Sequence, residues 1–298
     1  MANVDAFVQL RPLLFSVAYR MLGSATEAED VLQEADLRWA DVSDADVSSP
    51  QAYLTTVVVR LCVDQLRSAR VRRESYVGPW LPEPLVLDPA SDPAIAAELA
   101  DSVSLAFLVL LEELTPVERA AFLLREVFGY GYADLSGMLH TSDANCRQLV
   151  SRAKQHVAQR RTRFDADRQR SRELTRQFLT ACASGDLDGL LSLLAQDVVA
   201  YSDGGGKVQA ARRPVVGADK VARLLIGLAQ KGLPGAAVRE VDINGQPGLV
   251  VVIDGVVGTA IVADTMNGQI TAIRIVANPD KLLALQASAG NGLPGEAG

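Results

Sequence analysis

"YADLSGMLHTSDANCRQLVSRAKQHVAQRR", residues 132–161, holds two helical patterns separated by a short polar turn. The first, over 132–139, is expected to bury Leu135 and Leu139, and "HTSD" then breaks it. In the second, Cys146, Leu149, Val150, Ala153 and Val157 recur at a spacing of three and four and share one face. Arg147, Gln148, Ser151, Arg152 and Gln155 fall on the other. Arg, Gln and Ser carry the donors and acceptors that read base edges and phosphates in a major groove. The pattern predicts a helix-turn-helix. The blander alternative is a surface helix of a plain bundle.

Upstream, "LTPVERAAFLLREVF" opens with Thr115 as cap and Pro116 in the first turn, where a missing N–H costs nothing. The N-terminal third is also helical. Residues 5–22 have apolar side chains at helical spacing and stop at Gly23. Ser24 with Glu27 three residues on is a capping box for a second helix, whose stripe is Ala28, Val31, Leu32, Ala35 and Trp39. Asp30, Gln33, Glu34 and Leu37 lie on its other side, which pattern alone reads as an ordinary solvated face. Ser49 and Pro50 open a third helix to about 73, expected to bury Leu54, Val57, Val58, Leu61 and Leu66.

The net charge of −7 argues against nucleic acid until its distribution is read. Residues 60–73 hold five Arg against Asp64 alone, and residues 147–172 hold nine Lys or Arg against two Asp. Like charges crowded at a helix end repel, and a phosphate partner relieves the repulsion. Between these stripes, residues 83–101 hold five acids and no Lys or Arg, and five prolines fall between 79 and 93. That composition is a linker without regular helix. Trp80 and Leu81 within it are apolar anchors that need a docking surface.

Past residue 170 the pattern changes. Three helices are followed by strands divided by glycine and Asn-Gly turns, which predicts an α+β domain with one curved sheet packed on helices. "DGGGK", 203–207, has the look of a phosphate-binding loop, but Val208 follows the lysine and no helix opens there. The reading is a glycine turn. The final stretch is small and polar and is expected to be disordered.

Composition narrows the rest. Only two histidines occur, and the three cysteines have no paired spacing, so neither a disulfide framework nor a metal site is expected, and no cofactor. No run of about 18 apolar residues appears, which predicts a soluble, cytoplasmic chain with no membrane segment.

Taken together, "SVAYRMLGSATEAEDVLQEADLRW", "AYLTTVVVRLCVDQLRSARVRRESYVGPWLPEP" and the helix-turn-helix resemble an extracytoplasmic-function (ECF) RNA polymerase sigma factor. The C-terminal extension resembles a SnoaL-like domain of the NTF2-like superfamily. "WLPEP", "DGGGK" and "NPDKL" (278–282), in that order, resemble the ECF41 type.

The resemblance implies two all-α sigma domains, the second with the helix-turn-helix, and a C-terminal α+β cone with a curved mixed sheet. The implied divisions are 1–74 for region 2, 75–97 for the linker, 98–165 for region 4, 170–285 for the SnoaL-like domain and 286–298 for a disordered tail. Asp30, Gln33, Glu34 and Leu37 would face core RNA polymerase. Thr56, Arg60, Asp64, Arg67 and Arg70 would face the −10 element of promoter DNA, and Arg147, Gln148, Ser151 and Arg152 the −35 element. The acidic linker would thread polymerase. Asp36 departs from the family's pattern, which more often has an aromatic or apolar residue there, and this puts local packing or polymerase contact in doubt.

Trp80, Asp203, Gly204, Gly205, Gly206, Lys207, Asn278, Pro279, Asp280 and Lys281 form the expected regulatory contact. In that reading the glycine turn presents Asp203 and Lys207 to another part of the chain, and Trp80 receives an apolar cover. SnoaL-like domains hold small apolar molecules in a cone-shaped pocket, so a small-molecule ligand is a further candidate partner. An enzyme would need a general base there. With no histidine past 170, only Tyr201, Asp203, Asp254 and Asp264 qualify, and regulation is the favoured role over catalysis. A helix-turn-helix repressor and a DNA-tethered SnoaL-like enzyme are the alternatives.

Overall fold

The computed structural model describes residues 2–42, 47–86, 103–160, 168–231 and 235–290. The side chains of 2–5, 69–74, 159–160, 168 and 287–290 are outside that description. The chain clusters into two compact units, one drawn from Met1–Ser75 and Leu108–Arg161, the other from Tyr76–Phe107 and Thr162–Gly298. Asp88, Asp92, Glu98, Asp101, the side chain of Arg70 and residues 291–298 lie outside the described residues.

The first unit begins with α1 (Ala2–Leu22), α2 (Ala25–Ala40) and α3 (Pro50–Glu74). Ser24 accepts a hydrogen bond from the Glu27 N–H at 3.0 Å and starts α2. Ala28, Val31, Leu32, Ala35 and Trp39 are all buried, as the stripe predicts. Asp36 is exposed, so it carries no packing cost. Ser49 caps α3 through the Ala52 N–H at 3.3 Å. The core of α3 is broader than expected. Val59 and Cys62 are fully buried, whereas Val57 and Leu61 are only half-buried. The reason is that α3 packs on helices of the first domain and also on two helices of the second.

That second set comprises α4 (Leu105–Leu111), α5 (Pro116–Phe122), a π-helical turn (Leu123–Val127), α6 (Tyr132–Leu139) and α7 (Asp143–Arg160). Thr115 and Glu118 form a reciprocal capping box at the start of α5. In α6 the buried pair is Leu135 and Met138, not Leu135 and Leu139. The helix ends at His140, in the left-handed region at φ 49°, and Leu139 turns partly toward solvent. α7 buries Cys146, Leu149, Val150, Ala153 and Val157, as its spacing predicts.

Arg119 ties the two halves of this unit together. It is buried and donates to the Met21 carbonyl at 2.6 Å and to Glu112 at 2.7 Å.

The second unit holds α8 (Arg168–Ser184), α9 (Leu187–Leu193), β1 (Leu194–Asp203), β2 (Val215–Val216), α10 (Ala218–Gln230) and four strands. These are β3 (Ala236–Ile243), β4 (Gln246–Ile253), β5 (Val256–Met266) and β6 (Gln269–Val276). The sheet order is β2-β1-β6-β5-β4-β3. Among the described residues only β1 and β6 pair in parallel, and the other neighbours are antiparallel. Phe178, Leu190, Val221, Leu225, Leu249 and Ile273 belong to the core between the helices and one face of the sheet. This is one mixed sheet packed on helices, the α+β arrangement that the strand pattern predicts.

The chain then makes a 3-10 turn (Pro279–Lys281) and a last helix, α11 (Leu283–Gly290). Residues 286–290 are therefore helical, where composition predicts disorder. Leu282 and Leu285 are buried and anchor the segment. Gln286 accepts from the Val257 N–H at 2.6 Å and donates to the Gly255 carbonyl at 3.1 Å.

Candidate functional site

The three short motifs meet in the second unit. Asp203 ends β1 fully buried and collects four donors. Tyr76 donates its hydroxyl to Oδ1 at 2.5 Å, and the Gly205 N–H donates to the same oxygen at 3.0 Å. The Leu81 N–H reaches Oδ2 at 2.8 Å, and Lys281 Nζ reaches it at 2.7 Å. A buried carboxylate is stable only when it is both paired and hydrogen-bonded; here it is both.

Lys281 also donates to the Leu81 carbonyl. Its ammonium sits 4.1 Å from the centre of the Trp80 ring and 5.0 Å from that of Tyr76. The cover on Trp80 is thus a cation and not the apolar one expected. An ammonium desolvated over an aromatic face is attracted by the ring quadrupole.

The backbone completes the arrangement. The Ala277 and Asn278 N–H groups donate to the Asp203 carbonyl at 2.8 and 2.9 Å, and Asn278 donates its side-chain amide to the Tyr76 hydroxyl at 2.9 Å. Gly205, at φ +60°, passes so close that a Cβ there would lie 2.3 Å from Asn278 Nδ2. The glycine is required by close approach as well as by conformation. Asp203 is therefore not presented outward by a flexible turn. Lys207 is at the surface and pairs with exposed Asp280 at 2.5 Å. The two motifs pair crosswise, Asp203 with Lys281 and Lys207 with Asp280, and the linker is gripped at the buried pair.

Further along, the linker adds a short edge contact to β3. Val86 bridges Ile243, the Leu85 N–H donates to Asn244 Oδ1 at 2.9 Å, and the Asn244 N–H donates to the Leu85 carbonyl at 2.7 Å. The Asn244 amide reaches the Val103 carbonyl at 2.7 Å. Tyr76 and Asn244 are site residues that no sequence pattern singles out. Asn244-Gly245 has the look of a hairpin turn and nothing more, and the turn is indeed there, with both residues at positive φ. Its side chain has a second use that no local signal reveals.

The first unit carries the other candidates. Asp30, Gln33, Glu34 and Leu37 are all exposed on α2, and Leu37 keeps 68% of its surface accessible. Glu34 pairs with Arg38 at 2.8 Å. On α3, Asp64 and Arg67 pair with each other at 3.2 Å at the surface, and Thr56 donates to the Ala52 carbonyl at 2.7 Å. Arg60 is engaged: it donates to the Met138 and Gly137 carbonyls of α6, each at 3.2 Å. Thr55 and Tyr130 meet nearby at 3.2 Å. On α7, Gln148 and Ser151 are exposed, the Arg147 guanidinium lies 4.9 Å from the Tyr132 ring centre, and Arg152 sits 3.6 Å from Glu118.

Of the candidate acids and bases of the extension, Tyr201 and Asp264 meet at Arg274, apart from the Asp203 site and from Asp254. Asp264 is buried against Arg274, itself 5.8 Å from the Tyr201 ring centre. Burial pushes the Asp264 carboxyl up from its usual range, and Arg274 opposes that shift. Asp254 occupies a positive-φ position in the turn after β4. Among the described residues no group of three or more His, Cys, Asp or Glu is placed to hold a metal, and no helix is long and apolar enough to cross a membrane.

Comparison with known proteins defines the class. Residues 6–72 match the Sigma-70 region 2 family and residues 104–157 match Sigma-70 region 4. The chain is 42% identical over 291 residues to the ECF RNA polymerase sigma factor SigJ of Mycobacterium tuberculosis, covering 94% of this chain and 93% of the relative. It is 32% identical over 285 residues to the protein named Probable ECF RNA polymerase sigma factor SigI of the same species, covering 95% of each. The crystal structure of M. tuberculosis SigJ superposes with a TM-score of 0.77 at 38% identity, over 94% of this chain and 98% of that one. The chain belongs to the ECF RNA polymerase sigma factor family. Its work is promoter-specific transcription initiation, and the repressor alternative is not favoured.

Proposed function

We propose that the SnoaL-like domain regulates the sigma factor by holding its interdomain linker. The observation that carries this reading is the burial of Asp203 against Lys281, Tyr76 and the Leu81 N–H. A linker that threads polymerase has to leave this site, because Leu81 is buried there and Trp80 lies under Lys281. Docking and threading are mutually exclusive states of one segment, and a ligand or partner that prefers one shifts the balance.

In this reading, Asp30, Gln33, Glu34 and Leu37 contact core polymerase. Thr56, Arg60, Asp64, Arg67 and Arg70 read the −10 element, and Arg147, Gln148, Ser151 and Arg152 the −35 element. The first unit as it stands is a closed form. Elements about 25 base pairs apart are separated by about 85 Å of duplex, at about 3.4 Å per step. Arg60 meanwhile sits on the carbonyls of α6, the first helix of the helix-turn-helix. Binding polymerase and promoter requires that contact to break. Tyr201, Asp203, Asp254 and Asp264 lie outside the lining of the cavity between α8, α10 and the sheet, which supports regulation over catalysis as the role of this domain.

The test is run-off transcription with core polymerase on a promoter library, comparing wild type with Asp203→Asn and Tyr76→Phe. Loosening the linker should raise output at limiting core polymerase, with base preference unchanged. Output unchanged or lowered in variants that remain folded, as judged by thermal unfolding, overturns the reading.

A further inference from the structure

Arg147 is exposed and stands at the start of the second turn of α7. Recognition helices read base edges with their N-terminal residues. A long exposed side chain has many rotamers, and fixing it on DNA costs entropy. A support that already holds it in the free protein removes part of that cost.

Such a support is present within the same helical set. The Arg147 guanidinium lies 4.9 Å from the centre of the Tyr132 ring. Tyr132 is half-buried and opens α6, whose start is fixed by the Gly131 N–H donating to Asp134 Oδ2 at 3.0 Å. Leu135 and Met138 are buried and anchor the helix behind it. Arg125, on the π-helical turn, lies 4.7 Å from the centre of the same ring and donates to the Tyr130 carbonyl at 2.9 Å. Arg125 is thus tied to the backbone two residues before the ring it rests on, and it braces that ring.

The kind of contact matters. Two other cations of α7 are held by carboxylates, Arg152 at 3.6 Å from Glu118 and Lys154 at 2.7 Å from Glu126. A carboxylate occupies the donors of its partner and must leave before a base edge or phosphate can take them. An aromatic face attracts the cation through its quadrupole and leaves the N–H donors in the guanidinium plane free. Those donors are the ones that pair with guanine O6 and N7. Among the described residues neither Arg147 nor Arg125 has an ion-pair partner. The two cations also lie within about one Debye length of each other at 0.1 M salt, so a DNA acceptor meeting Arg147 relieves their repulsion.

We propose that Tyr132 is a positioning residue for −35 recognition: its ring, braced by Arg125, holds Arg147 in place with its donors free. This rests on the reading of Arg147 as a −35 residue and names what presents it. The ring acts, and the hydroxyl does not.

The test is promoter binding by the full chain with core polymerase, measured as Kd on promoters carrying single-base changes across the −35 element. Arg147→Ala identifies the position at which preference is lost. Tyr132→Leu should lower discrimination at that same position by about two- to fivefold and leave the other positions unchanged. Leucine is the better helix former, so the variant should keep the fold, which its thermal unfolding checks. Tyr132→Phe keeps the ring and should restore the wild-type discrimination. In an Arg147→Ala background, Tyr132→Leu should have no further effect. Unchanged discrimination in Tyr132→Leu, an equal loss in Tyr132→Phe, a loss spread evenly over all positions, or a loss that persists without Arg147 overturns the positioning role and leaves the −35 reading standing. If Arg147→Ala itself keeps every −35 preference, the −35 reading falls and the proposal with it.

Discussion

Asp203 Oδ2 and Lys281 Nζ lie 2.7 Å apart, with side-chain exposures of 0% and 8%. Four residues along the same loop, Lys207 and Asp280 make a shorter contact, but both are more than half exposed. The two ion pairs join the same two motifs and differ in solvent.

That difference predicts unequal costs. Lys281→Met leaves a buried carboxylate without its cation and should destabilise the second unit by about 3–5 kcal/mol. Lys207→Met removes a screened surface pair and should cost about 0–1 kcal/mol. Urea unfolding of the full chain followed by far-UV circular dichroism separates the two. Equal costs would mean that the buried pair is not what fixes the motifs.

Arg60 donates to two carbonyls of α6. Hydrogen bonds from a charged donor contribute about 1.5–3 kcal/mol, so Arg60→Ala should shift the free protein toward an open first unit. Small-angle scattering should report a larger radius of gyration, and exchange of the α6 amides should quicken. The Arg119 hydrogen bonds to Met21 and Glu112 remain in that variant and limit the opening.

Replacing Arg147 or Arg152 with Ala should weaken −35 recognition by about 1–3 kcal/mol for each base-edge interaction removed. Core polymerase binding should be unchanged. Charge reversal at Asp30 together with Glu34 should do the opposite and abolish core association in a folded protein. Band-shift assays with core polymerase on cognate and −35-substituted promoters measure both outcomes.

All three cysteines are buried free thiols, and burial raises the pKa of each, to about 12 for Cys182. A thiol with a raised folded-state pKa is neutral in the native protein at pH 8, and the thiolate is the reactive form. Native chain should therefore resist iodoacetamide at pH 8, while urea-unfolded chain should take up three equivalents. The folded-state protection is fully present below the ordinary thiol pKa and is lost as pH rises toward 12. Mass spectrometry of alkylated peptides resolves the three sites.

The helices, the buried stripes of α2 and α7 and the strand succession are legible in the residue string, because they depend on local periodicity and capping. Ser24, Ser49 and Thr115 mark helix starts, and Cys146 to Val157 mark the inner face of α7, with no knowledge of what packs there. Local pattern reads "DGGGK" as a turn, and it is the family resemblance that brings it and "NPDKL" forward as residues with a further purpose. Which charge meets which is settled only by the folded chain. Asp203 and Lys207 are equivalent in a string, each flanking three glycines. β1 and β6 pair in parallel, so Asp203 falls beside the exit of β6 and under the linker, while the loop carries Lys207 out to water. Tyr76 and Asn244 gain their roles in the same way, from partners 127 and 159 residues distant in the chain. Such pairings depend on strand order and on the path of the linker, and no local pattern encodes either.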